Sequence, residues 1–232
     1  MQGKYEKEFI KMIEQQRYKY GAYQLFYDFC ECAACSINSP LENHEIREQR
    51  YQETIKRYQD ENIVNILGDM LGALILAIEE NPFTDVLGNI YMQLEISDKK
   101  HLGQCFTPDH VSLLCSQLTL GNIEEVIKEN GFVTLNDCCV GGGSMVLSFA
   151  KAFKDLGFNP QKELCVVCND IDSLCVNMTY IQLSLNGIPA RVLWGDTITQ
   201  KFTDYFHTPM WVLNGFNYKY ERMMKGEEFR VS

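Results

Sequence analysis

Apolar positions follow two regimes along the chain. Over roughly the first hundred residues they recur at helical spacing. Tyr5, Phe9, Ile13 and Tyr20 mark a first helix over Lys4 to Tyr20, and Phe26, Tyr27, Cys30, Ala34 and Ile37 mark a second over Tyr23 to Ile37, which Pro40 ends. His44 to Tyr58 is strongly charged, with Glu45 set to face Gln49 and Glu53 to face Arg57, so one side is expected to be solvated. Ile63 to Ile78 is apolar almost all round and predicts a central helix of the bundle. Asn81-Pro82 makes a turn, and Asp85 to Ile96 is a further amphipathic segment. The spacing predicts an all-α N-terminal domain over 1–98, with the polar stretch Ser97 to His101 as a linker.

Beyond that point short apolar runs alternate with helical ones. Thr107 is placed to cap a helix with Pro108 at its first position. Phe132, Val133 and Leu135 form a β-prone run that leads into Asp137, then Gly141-Gly142-Gly143, then a helix carrying Met145, Val146, Phe149, Ala152 and Phe153. Leu164 to Cys168 reads as a buried second strand ending in Asn169-Asp170-Ile171-Asp172. A helix from Ser173 to about Asn186 stops at Gly187 and Pro189. Arg191 to Trp194 is a third strand closing in Gly195-Asp196, and Met210 to Leu213 reads as a fourth, ending at Asn214. Strands alternating with helices predict an α/β domain over 99–232, half of a doubly wound sheet. Ligands of such sheets sit at the strands' carboxyl ends, so Asp137, Asp170, Asp172 and Asp196 should converge on one crevice. Glycines at the first strand-to-helix turn let a ligand approach the backbone, and paired carboxylates suit the two hydroxyls of a ribose.

Composition narrows the setting. With 232 residues, 46% of them hydrophobic, the chain is globular in character. Ile66 to Ile78 is the most apolar run, but it is short and carries Asp69, so a buried helix is expected in place of a membrane span. The charged start has no apolar core of a signal peptide, and a cytoplasmic location is expected. Net charge is −10, spread over both halves. Phosphate neutralisation by Lys and Arg supplies most sequence-independent affinity for DNA, so DNA should be bound only weakly or through a partner subunit. Lys219, Arg222, Lys225 and Arg230 form the one mildly basic stretch. The ten cysteines include Cys30, Cys32 and Cys35 in a helical pattern, and Cys165 with Cys168 in a strand, on opposite faces. Neither setting is the tight turn of a zinc ribbon, so reduced core cysteines and no metal are expected, with His44 an exposed helix residue.

Gly103-Gln104-x-Phe106-Thr107-Pro108-x-x-Val111, followed by Asp137-x-x-x-Gly141-x-Gly143, resembles the catalytic core of adenine-N6 DNA methyltransferases, most closely the modification subunit of type I restriction-modification systems. Asn169-Asp170-x-Asp172 and Gly195-Asp196 fall where that family's next motifs belong, and the helical region resembles the bundle that precedes its core. The resemblance covers about residues 1–214 and implies a Rossmann-like sheet that binds S-adenosylmethionine. By the same resemblance Phe106 packs on the cofactor, Thr107 and Pro108 shape its wall, and Asp137 with Gly141 to Gly143 lines its methionine side. Asp170 or Asp172 holds the ribose, and Asp196 accepts from the adenine amino group. Where the family has Asn-Pro-Pro-aromatic this chain has Asn214-Gly215-Phe216, which maps Asn214 and the Gly215 carbonyl onto the acceptors of the target amino group and Phe216 onto the base-stacking ring. Three readings follow: an N6-adenine methyltransferase, a catalytically degenerate cofactor-binding regulatory or assembly subunit, or a truncated mobile-element remnant that is folded but idle. The family's core needs three more strands after the third, whereas 36 residues follow Asp196. The sheet is therefore expected to be incomplete, which favours a homodimer or a hetero-oligomer.

Overall fold

The computed structural model describes residues 3–38, 40–58, 60, 62–94, 112, 121 and 123–225. Five helices come first: α1 (Lys4–Tyr20), α2 (Ala22–Asn38), α3 (His44–Ile55), α4 (Ile63–Glu80) and α5 (Val86–Gln93). The α/β part follows as α6 (Ile123–Asn130), β1 (Val133–Asp137), α7 (Ser144–Asp155), α8 (Pro160–Glu163), β2 (Leu164–Asp170), α9 (Ser173–Leu185), β3 (Ala190–Asp196), β4 (Lys201–His207), α10 (Pro209–Leu213) and α11 (Phe216–Met224).

Burial sets α2 apart from α4. Twelve of the 17 residues of α2 are buried, among them the charged Asp28 and Glu31. The more apolar α4 buries Ile63, Leu67, Met70, Leu74 and Ala77 along one stripe, but exposes Val64, Ile75 and Leu76. α2 is the more enclosed of the two, packed against α1, α3, α4 and α9.

The sheet has the order β1-β2-β3-β4. β1, β2 and β3 are parallel, with Val133 opposite Leu164 and Val166 opposite Ala190. β4 returns antiparallel along β3, with Asp196 opposite Lys201 and Arg191 opposite His207. The expected fourth strand is therefore corrected: Met210 to Leu213 lies in α10, and the fourth strand is Lys201–His207. A four-residue apolar run fits a strand or a helical turn equally, and here Thr208-Pro209 sets the helix, with Pro209 at its first position.

Strand residues alternate between two faces. Val133, Leu164, Val166, Cys168, Ala190, Val192 and Phe206 share one apolar core with α9 and the helical layer. On the opposite face Cys165 joins Phe132, Trp211 and Phe216, flanked by Val167, Tyr220 and Met223. Cys165 and Cys168 thus face opposite ways, and burial pushes both thiols up, Cys165 to about 12. Cys30, Cys32, Cys35 and Cys175 are likewise buried and free, while Cys138 and Cys139 are exposed. His44 is exposed on α3.

A buried ionic network fastens the helical layer to the sheet. Arg47, fully buried on α3, pairs with both oxygens of Asp204 on β4 at 2.5 and 3.0 Å and donates to the Tyr205 carbonyl and to Asn38 Oδ1. Arg50 bridges Asp204 to Glu31, whose other oxygen accepts from Asn177 of α9. Glu42 holds His207 by its backbone N–H and by Nδ1. Arg47 also lies over the Phe206 ring, 4.1 Å from its centroid. Such a set is specific because each charge is satisfied only by the arrangement of all the others.

Candidate functional site

β1, β2 and β3 end on the same side of the sheet, each about two residues beyond its predecessor, and the segments at those ends are tied to one another. The Asn169 amide donates to Thr197 Oγ1, which donates to the Cys138 carbonyl, so side chains stitch the turns after all three strands. Val140 N–H bonds the Asn169 carbonyl, and Trp194 Nε1 bonds the Ile171 carbonyl at 3.0 Å. The result is a preorganised rim at the carboxyl end of the parallel strands.

Asp137, Asp170, Asp172 and Asp196 all stand on this rim, as the strand pattern predicted. Asp137 is half-buried, and its Oδ1 accepts from Cys139 N–H at 3.1 Å. Burial pushes its carboxyl above the ordinary range, the Cys139 bond pulls it back in part, and the charge of Asp170 pushes it up again. Asp170 ties two loops together, accepting from Gly141 N–H and from Asp172 N–H, each at 2.9 Å. Asp172 is the N-cap of α9, accepting from Leu174 N–H. Asp196 accepts from Ile198 N–H and from both the N–H and the hydroxyl of Thr199. The Ile198 bond, with that hydroxyl, holds the Asp196 carboxyl below the usual range.

The glycine turn enters α7 through Gly143, with no side-chain cap. Gly141 and Gly143 have φ of 57° and 92°, values that L side chains rarely adopt. A Cβ on Gly142 would lie 2.8 Å from Asp85 Oδ2, and one on Gly143 would lie 3.2 Å from Thr179 Oγ1. The first turn of α7 therefore offers its end of the helix dipole, with backbone donors, to whatever occupies the crevice.

Ile171 and Ile198, 71% and 94% exposed, come just after the acids Asp170 and Asp196 and leave apolar surface at the strand ends, and Trp194 is tied to the Ile171 carbonyl. Sequence reasoning passed over these three and Thr197. The available signal was an isoleucine placed immediately after a strand-end acid or one residue beyond it, where solvent-facing polar residues are the rule.

Asn214, Gly215 and Phe216 lie elsewhere, and their expected place in the crevice is corrected. β4 runs back to the amino ends of the parallel strands before α10 begins, which carries the trio with it. Asn214 donates to the Gln161 carbonyl, just ahead of β2, and Phe216 is fully buried edge-on against Phe132, just ahead of β1. Gly215, at φ 66°, is the turn between α10 and α11. Seven-residue strands separate the two ends of the sheet by about 20 Å. Phe106, Thr107 and Pro108, with Gly103, Gln104 and Val111, lie outside the described residues. Among the described residues no cluster of three or more His, Cys, Asp or Glu side chains is placed to hold a metal ion. No described helix is long and apolar enough to cross a membrane.

A glycine turn opening a helix beside strand-end carboxylates, on parallel strands joined by helices, defines an α/β protein of the Rossmann-like type. Residues 83–230 match the family model of the N-6 DNA Methylases, and the chain belongs to that family. Among solved structures it is similar to a protein of Listeria monocytogenes described as a class I S-adenosylmethionine-dependent methyltransferase, at 15% identity and a TM-score of 0.46 over 86% of this chain and 56% of that one. It is also similar to the methyltransferase subunit of a type I restriction-modification system from Streptococcus thermophilus, at 15% identity and a TM-score of 0.42 over 85% of this chain and 58% of that one. The chain thus spans a little over half the length of these structures. No curated protein sequence matches it.

Proposed function

We propose that the chain binds S-adenosylmethionine in the crevice at the carboxyl end of its parallel strands and serves N6-adenine methylation of DNA, in the manner of a type I modification subunit. The observation that carries this reading is the convergence of Asp137, the Gly141–Gly143 turn, Asp170 and Asp196 on one stitched rim, in a chain of the N-6 DNA Methylase family. The residues suit the cofactor's chemistry. The half-buried Asp137 carboxylate would hold its ammonium group, and the helix N-terminus behind Gly143 its carboxylate. Asp170 and Asp172, whose oxygens already accept backbone N–H groups, keep lone pairs for ribose hydroxyls. Ile171 and Ile198 would border a planar base, and Asp196 would accept from its amino group. The bound cofactor supplies an electrophilic methyl; the chain's own residues orient it and exclude water.

With a net charge of −10, duplex DNA would be engaged weakly or through a partner subunit, in a homodimer or a hetero-oligomer. A second reading, a subunit that holds the cofactor without transferring its methyl, is favoured by one observation: Asn214 and Phe216 sit at the far end of the sheet. Calorimetric titration with S-adenosylmethionine tests the shared premise, and binding is expected at micromolar affinity. No heat at millimolar cofactor would sink both readings. Transfer of a labelled methyl group to adenine-containing DNA, with and without candidate partner subunits, then separates them: incorporation supports the enzyme, and bound cofactor that never turns over supports the holding subunit.

A further inference from the structure

The glycine turn rests on a buried polar cluster to which both halves of the chain contribute. Asp85 is 3% exposed and Gln182 is fully buried. Asp85 caps α5 by accepting from Gly88 N–H at 2.8 Å. Gln182, on α9, uses its whole amide: Nε2 donates to Asp85 Oδ1 at 2.8 Å and to the Gly142 carbonyl at 2.7 Å, while Oε1 accepts from Leu87 N–H at 3.0 Å. One turn earlier on α9, Thr179 Oγ1 donates to the Gly141 carbonyl at 2.8 Å. One turn later, Asn186 Oδ1 accepts from Phe83 N–H at 2.8 Å. A single face of α9 therefore holds both the turn and the segment that opens α5.

Pinning those two carbonyls fixes the turn's peptide planes. In a trans peptide the N–H points opposite to the carbonyl it is bonded to. With the Gly141 carbonyl drawn down onto Thr179, the Gly142 N–H is turned up toward the crevice. The Gly142 carbonyl, held by Gln182, sets the next plane, from which α7 departs. The family match begins at residue 83, so it includes the Asp85 cap and α5 while leaving out α1 to α4.

We propose that Gln182 and Asp85 are positioning residues for the cofactor turn, so that the site is complete only when α5 of the helical layer is docked on α9. This rests on the reading that the crevice binds S-adenosylmethionine. Docking of α5 and occupancy of the crevice are then linked, each favouring the other.

Two variants of the full chain test it. Gln182→Met keeps the side chain's bulk and removes all three hydrogen bonds. It should weaken S-adenosylmethionine binding about tenfold or more, and speed hydrogen exchange of the amides at 140–145. The double change Asp85→Asn with Gln182→Glu exchanges donor and acceptor. Because Asp85 Oδ1 makes both the cap and the bond to position 182 in the wild type, the amide then at position 85 donates to the carboxylate at position 182 in place of capping Gly88. That carboxylate still accepts from Leu87 N–H, but the Gly142 carbonyl loses its donor. The melting temperature of this variant should recover part of what Gln182→Met loses, short of the wild type by the lost cap, while cofactor affinity stays weak. Wild-type affinity in the double variant would show that only docking matters and would overturn the assignment, as would unchanged loop exchange and affinity in Gln182→Met. If the wild type binds no cofactor, the cofactor reading fails by itself. Exchange at 140–145 in the ligand-free chains then still decides the clamp, faster exchange in Gln182→Met supporting it and equal exchange refuting it.

Discussion

The two ends of the sheet put their polar and apolar residues to opposite uses. At the carboxyl end Asp137, Asp170 and Asp196 close their strands half-exposed, held by backbone N–H groups of nearby loops, and Ile171 and Ile198 are left bare. At the amino end Phe132, Trp211 and Phe216 close over Cys165, and the polar groups are consumed internally: Asn217 accepts from Trp211 Nε1, and Asn214 donates to Gln161. One end spends little on packing and keeps its groups available, as a ligand site must. The other is a core. An asparagine followed by an aromatic acquires its meaning from the end of the strand at which it emerges, and β4 reverses that end.

The contrast breaks most sharply under truncation of Phe216. Phe216→Ala should cost about 3–5 kcal/mol of unfolding free energy, read by urea denaturation, while the surviving folded protein binds S-adenosylmethionine as before. Loss of binding or transfer with stability intact would instead return Phe216 to the crevice. The mirror experiment is Asp137→Asn, expected to weaken cofactor binding about tenfold or more, yet to leave the ligand-free melting temperature unchanged or raised by about 2 °C. The sign follows from the carboxyl's upward shift: a buried charge is disfavoured at neutral pH, and removing it relieves the folded state. For the same reason cofactor affinity should fall as pH drops through the range in which Asp137 takes up its proton, earlier than for an ordinary carboxylate.

A smaller effect belongs to the seam between helices and sheet. Burial pushes the Glu42 carboxyl up, but the His207 bonds outweigh it and hold Glu42 below the usual range. The unfolded chain then binds that proton more readily than the folded one. The contribution of Glu42 to stability is therefore present above the ordinary carboxylate range and is lost as pH falls through its lowered folded value. Glu42→Gln should flatten this acid limb in pH-dependent melting, by less than about 1 kcal/mol for so partly screened a pair. Smallest of all, Asn214→Ala should shift stability by about 0.5 kcal/mol and cofactor affinity not at all. A lost methyl-transfer activity with affinity preserved would show that Asn214 reaches the substrate after all.

Local patterns explain what was legible in advance. Strand, acid, glycine turn and helix follow one another within about twenty residues at β1, so pattern and function coincide, and β2 and β3 repeat the strand-end acid. Failures begin where partners are distant. Gln182 meets Asp85 across 97 positions and Arg47 meets Asp204 across 157, and neither pairing leaves a trace in local spacing. α3 reads as a solvated helix because it is charged, yet Arg47 in its first half is fully buried, its cost offset by carboxylate and carbonyl acceptors. The mistaken fourth strand has a different cause. Met210 to Leu213 is too short for its periodicity to distinguish strand from helix, while Lys201–His207 is a half-exposed edge strand without clean alternation. The signal that could have decided it was Thr208-Pro209, a helix start overlooked beside an apolar run.

The antiparallel return of β4 also sets the order in which the chain can mature. α2 and α3 are synthesised within the first quarter of the chain, and Arg50 already has Glu31 there, yet Arg47 meets its carboxylate at Asp204 and Glu42 its histidine at His207. Until those residues leave the ribosome, Arg47 has no carboxylate to enter the core with. The helices are early in time and late in energy. Folding of this protein should accordingly be slow for its helix content, governed by a contact that spans about two thirds of its length.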